Sequence, residues 1–136
     1  MSIFFSSVSA AASIAAGAVQ QAAFNTQAKA QEEEGNLKRA EAQEEAIRIE
    51  KERKEARAKV GLAFIKGGVT LQFTPLDLIE EQEREDEQEA YSIRKRGFAQ
   101  QKLAFANAQV SRSRGRAALL GGIASGASTM AQADWT

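Results

Sequence analysis

Residues 66–77 read "KGGVTLQFTPLD" and contain the only proline of the chain, beside a glycine pair. On both sides the sequence has the composition of helix. Gly67 and Gly68 end a helical pattern, as glycine does at a helix C-terminus. Val69, Leu71 and Phe73 then alternate with Thr70 and Gln72, the pattern of a short strand with one apolar face. Thr74 is a good N-cap, Pro75 fits the first helical position, and Asp77 suits the positive end of the new helix. The stretch therefore reads as a turn between two helices, with a short extended segment in it.

The first helix should cover residues 3–65, with an interruption near "EEEGN" at Gly35. Leu37, Ala40, Ile47, Ala58, Leu62 and Ile65 give it a thin apolar stripe at helical spacing. The second should run from residue 75 to about 130. Residues 80–89, "EEQEREDEQE", contain no apolar side chain, and a helix polar all round is not held by its own core. A stripe returns at Ala90, Ile93, Gly97, Ala104 and Ala108.

Composition limits what such helices can bury. Of 136 residues, 43% are hydrophobic, but 27 residues are alanine. Alanine favours helix and buries little area. The chain has neither cysteine nor histidine. Disulfides, thiolate ligands, the commonest general base and the commonest transition-metal ligand are thus unavailable. No nucleophile–base set, metal-ligand spacing or phosphate-binding loop is visible, so the expectation is a protein that is not an enzyme and has no cofactor.

Lysine and arginine balance aspartate and glutamate at 18 each, but the charges are unevenly placed. Residues 1–28 and 117–133 carry none. Folding the chain back near residue 70 makes facing residues sum to roughly 140. The acidic run 77–89 then meets Lys51, Arg53, Lys54, Arg57 and Lys59. Arg94, Lys95, Arg96 and Lys102 meet Glu41, Glu44 and Glu45, and the uncharged tail meets the uncharged head. Exposed ion pairs contribute only about 0–1 kcal/mol each, so their value lies in fixing register. The alternative is that these charges are merely solvated faces.

The expected fold is all-α: a long antiparallel helical hairpin with legs of about 90 Å, too thin to stand alone and so assembled into a multi-copy ring or bundle. Five segments follow. Residues 1–28 are an uncharged Ala/Ser-rich helix and 29–66 a charged helix. Residues 67–74 form the extended turn, 75–116 a second charged helix, and 117–136 an uncharged Gly/Ala-rich end.

Three groups of residues are candidates for contact. Val69, Leu71 and Phe73 at the turn should meet a neighbouring copy or another protein, unless they fold back onto Leu62, Ile65 and Ile79. Ser13 with Gly17, and Gly122 with Gly126, have the small-xxx-small spacing that lets helices approach closely, in a membrane or against a partner. The head lacks the basic start of a secretory signal, and glutamine and asparagine make it a poor lone membrane span. Arg94 and Arg96 in "SIRKRG", with Arg112, Arg114 and Arg116 in "SRSRGR", could hold DNA phosphates or an acidic partner. The alternative for them is pairing with the first helix.

Over about residues 25–110 the chain resembles the small internal virion (ejection) proteins of short-tailed phages. The likeness lies in "NTQAKAQEEEGN", Gly68-Val69, Thr74-Pro75-Leu76-Asp77, the acidic helix of residues 79–89, and Ile93-Arg94 with Gly97. The sequence is shorter than expected for that family and lacks its longer polar C-terminal extension. The resemblance implies a structural protein near the portal inside the virion. Such a protein is ejected with the genome and helps to form a DNA-translocation conduit across the host cell envelope, at the outer membrane. Implied partners are further copies of the chain, other virion or portal proteins, the host membrane and the genomic DNA. Two alternatives stand beside the conduit: a structural adaptor at the portal or tail that never enters a membrane, and a DNA-binding virion protein.

Overall fold

A computed structural model of the chain describes the backbone of residues 2–67 and 74–133, and the side chains of residues 8–67 and 77–132. The described residues form two α-helices, α1 (Ser2–Lys66) and α2 (Thr74–Ala133), packed against each other. Helix α1 stops where the glycine pair begins, and the Gly67 N–H donates to the Ala63 carbonyl at 3.0 Å. Helix α2 starts at Thr74 and carries Asp77 in its first turn, where a carboxylate is favourable. The strand pattern of Val69, Leu71 and Phe73 lies outside the described residues.

The helices divide into two units. One comprises Met1–Gly35 with Leu103–Thr136, the other Asn36–Lys102. In each, a piece of α1 runs antiparallel to a piece of α2. In the first unit Gly17 faces Gly122 and Gly115 faces Phe24; in the second Gly97 faces Ala42. Each of these pairs sums to 139, which is the register expected from the charge blocks.

What fills the seams is small. Among the described residues the fully covered apolar ones are Ala10, Ala28, Ala46, Ala90 and Ala108, with Ile93 close behind, and no large side chain is fully buried. Their spacing is regular. Ala10, Ala28 and Ala46 on α1 are 18 residues apart, as are Ala90, Ala108 and Gly126 on α2. Eighteen residues make five turns of 3.6, and combine one 7-residue with one 11-residue repeat, so the same face returns without drift. Within each period the third residue after the alanine and the seventh also face the seam. This gives Ala10-Ser13-Gly17 and Ala28-Gln31-Gly35 on α1, and Ala90-Ile93-Gly97 and Ala108-Ser111-Gly115 on α2, all at least half-buried.

Two expectations for α1 are corrected by this pattern. Leu37, Ile47, Leu62 and Ile65 are each more than half exposed, and Ala40 and Ala58 are exposed as well. The helices close mainly on glycine and alanine, which leaves little room for large aliphatic side chains between them, Ile93 being the buried exception among the described residues. Nor is α1 interrupted at Gly35: the helix runs through it, and Gly35 is buried in the seam at the glycine position of the repeat. On α2 the sequence stripe and the seam coincide, since Ala90, Ile93, Gly97 and Ala108 are buried and Ala104 is half-buried.

The glycines therefore divide into two classes with opposite responses to substitution. A Cβ on Gly122 would lie 2.8 Å from the Ser13 carbonyl oxygen and 3.1 Å from the Gly17 Cα, and one on Gly97 would collide with the Ala42 Cβ. Gly61 and Gly121 have open space there. Gly122→Ala and Gly97→Ala should each lower stability by about 1–3 kcal/mol through overpacking. Gly61→Ala and Gly121→Ala should raise it by about 0.5–1 kcal/mol through helix propensity. Thermal melts followed by circular dichroism distinguish the two signs.

Candidate functional site

No cleft with convergent catalytic groups is found among the described residues. Among the described residues, no group of three or more acidic side chains is placed to hold a metal ion. The features that can act on another molecule are the seams, their charged flanks and the outer faces.

In the unit made of residues 1–35 and 103–136, the small residues singled out from sequence meet one another. A Cβ on Gly17 would lie 3.0 Å from the Ala118 carbonyl oxygen and 3.3 Å from the Gly122 Cα. One on Gly126 would lie 3.1 Å from Ser13 Oγ. Ser13 itself donates its hydroxyl to the Ala10 carbonyl at 2.9 Å, satisfying the group where it is partly covered. These four positions thus pack α1 on α2 within the chain. No helix of the described residues is long and apolar enough to cross a membrane.

The polar members of this seam are also paired. Ser111 donates to Gln31 Oε1 at 3.0 Å. Arg112 grips Glu32 with both terminal nitrogens, at 2.7 and 3.0 Å. Arg114 and Arg116 are exposed.

In the unit of residues 36–102, Arg94 grips Glu50 in the same two-handed way, at 2.8 and 3.2 Å. Bidentate guanidinium–carboxylate pairs are the best-defined of ion pairs in geometry. Arg94 and Arg112 are separated by one 18-residue period, as are Glu50 and Glu32, so both pairs belong to the repeat. Arg96 is exposed and sits two residues, or about 200° around the helix, from Arg94. The same angle separates Arg112 from Arg114. The five arginines expected to act together therefore do not share one face, and two of them are held by glutamates of α1.

Asp86 was not distinguishable in the acidic run, yet among the described residues it is the one carboxylate buried in the seam, 9% exposed. It stands four residues before Ala90, at a seam position, opposite Arg53. Arg53 Nη1 is 3.8 Å from one of its oxygens and Arg57 Nη1 3.6 Å from the other. Arg53 also reaches Glu89 at 3.3 Å. The Arg57 Nη1 is buried without a hydrogen-bond partner among protein atoms, so Asp86 supplies its nearby countercharge. Further along, the Arg39 guanidinium lies 5.2 Å from the Phe98 ring centre and Lys102 Nζ 4.8 Å, within cation–π range. Arg39 also donates to Gln101 at 2.9 Å, and Gln101 to Asn36 at 2.7 Å.

Asp86→Ala would leave Arg57 partly buried without its countercharge and should cost about 1–3 kcal/mol. Arg94→Ala breaks a pair whose side chains are each more than two-fifths exposed and should cost no more than about 1 kcal/mol. Urea unfolding of the two variants tests that order.

No protein-family model matches the chain, and neither the curated proteins nor the solved structures compared with it return a match.

Proposed function

We propose that this chain is a non-enzymatic structural protein of a short-tailed phage virion. It assembles in several copies, leaves the particle with the genome, and helps to build the conduit through which DNA crosses the host cell envelope. The observation that carries the assembly half is an inversion of ordinary packing. The seam is mostly alanine and glycine, with Ile93 among them, while many large apolar side chains are outside. Val8, Val19, Leu103 and Leu120 are each more than three-fifths exposed, and so are Tyr91 and Ile65. The chain exposes 10287 Å², where a folded monomer of 14.7 kDa exposes about 6,900 Å² on the usual mass scaling. That excess is comparable to the area of a large obligate interface. The virion and ejection half is supported by the ordered resemblance across residues 25–110.

In this reading the charge-free residues 1–28 and 117–133 meet lipid only as a collar of several copies, because no single described helix is apolar enough to cross. That same observation favours a second reading, in which the protein is a portal or tail adaptor that never enters a membrane. A DNA-binding role is weaker: Arg94 and Arg112 are engaged by Glu50 and Glu32, and Arg96 and Arg114 lie on nearly the opposite side of the helix. The full chain added to vesicles of outer-membrane lipids should release a trapped dye, with the release rising more steeply than linearly in protein concentration. Intact vesicles beside a multi-copy assembly would instead select the adaptor.

A further inference from the structure

The outward faces of the unit formed by residues 36–102 carry charges that the chain's own seam cannot use. On α1, Glu44 and Arg48 flank Ala46, and Glu55 follows Arg53. Each is two residues from a seam position, hence about 200° round the helix and facing away. On α2, Arg84 precedes Asp86, Tyr91 precedes Ile93 and Lys95 precedes Gly97 by the same two residues. All six are exposed, Tyr91 by 65%. Arg48 has only a loose contact within its own helix, 3.9 Å from Glu52, with both side chains about two-thirds exposed.

These outward residues match across levels. Inside this unit the residues at one height sum to 139, as Gly97 with Ala42 shows. By that rule Glu44 is level with Lys95, Glu55 with Arg84, and Arg48 with Tyr91. They lie on opposite outer sides of the helix pair and cannot meet within one chain. They would meet if a second copy stood alongside, pointing the same way and neither raised nor lowered. Two contacts would then be salt bridges and the third a cation on an aromatic face. A slide of one helical turn destroys the match: one direction sets Lys51 against Arg84, the other Arg48 against Lys95.

We infer that the outer face of α1 over residues 44–55 binds the outer face of α2 over residues 84–95 in a neighbouring copy, at equal height and in the same orientation. The partner is thus a second copy of this chain. Because the two surfaces differ, the contact is heterologous. It repeats from copy to copy and closes into a ring when each copy is rotated relative to the last. This inference rests on the assembly reading above and specifies the surface that assembly uses.

The test uses two charge-reversed full-length chains, Glu44→Lys with Glu55→Lys, and Arg84→Glu with Lys95→Glu. Circular dichroism verifies that each keeps its helix content. Like charges facing across an interface are strongly unfavourable. Each variant alone should therefore associate at least about tenfold more weakly than the parent in sedimentation velocity. Mixed in equal amounts they should recover the parent's association, since the reversed α1 face of one variant then meets the reversed α2 face of the other, again opposite in sign, and the two unreversed faces meet as in the parent. Parent-like assembly of either variant alone, or a mixture no better than its components, overturns this interface and leaves the assembly reading standing. A parent chain that stays monomeric at every concentration overturns both.

Discussion

The close approach of two helix backbones governs everything else in this protein. At Gly17 and Gly122 the main chains come near enough that a single added methyl group would meet backbone atoms. Such contact offers short-range dispersion along the seam and orders almost no rotamers, because alanine and glycine have none to lose. The cost is area. A seam of alanines removes little apolar surface from water, so stability cannot come from a thick core and must be spread thinly over many turns.

A seam that repeats every 18 residues has a further weakness. Sliding one helix by a full period would again set small residue on small residue, so packing alone does not define register. The polar positions do. In the native alignment Arg94 meets Glu50 and Arg112 meets Glu32. A slide of one period keeps at most one of these pairs. The slide that brings Arg94 to Glu32 also carries Arg112 to Ile14 and exchanges Arg53 for Gly35 opposite Asp86. The same slide would draw charged residues against the uncharged ends. Exposed pairs are individually weak, yet as a set they reject the alternatives that the small-residue seam tolerates, a role in which polar groups are effective even when they add little net stability.

This division of labour explains which parts of the fold were legible in the sequence. The helix pair and its register could be read, because charge blocks are long and survive small errors of alignment. The α2 seam could be read because the large Ile93 lies on the same face as Ala90, Gly97 and Ala108 and is buried with them. On α1, the larger Leu37, Ile47 and Leu62 compete for attention, and the usual equation of size with burial selects the wrong face. Gly35 misleads for a related reason: glycine breaks isolated helices, but in a tight seam its missing Cβ is what the neighbour requires. Asp86 lay hidden among similar residues, and only its distance from Ala90 along the helix sets it apart. The five arginines are close in sequence, but neighbours two apart on a helix point nearly opposite ways, so nearness in sequence does not say which of them pair with α1.

The same economy bears on how such a chain joins others. In a protein with an ordinary core, exposing large apolar side chains for a partner competes with burying them at home. Here the competition is slight, since the seam within the chain takes few large apolar side chains, Ile93 chief among them. Tyr91, Leu103 and Leu120 are outside while the two helices remain fully engaged with each other. Association can therefore proceed on outer faces without unpacking the subunit, and a subunit can leave one assembly and enter another without refolding its seam. In the role proposed above, carriage in one structure and action in a second, that separation of internal from external contacts is the property required, and the small-residue seam supplies it.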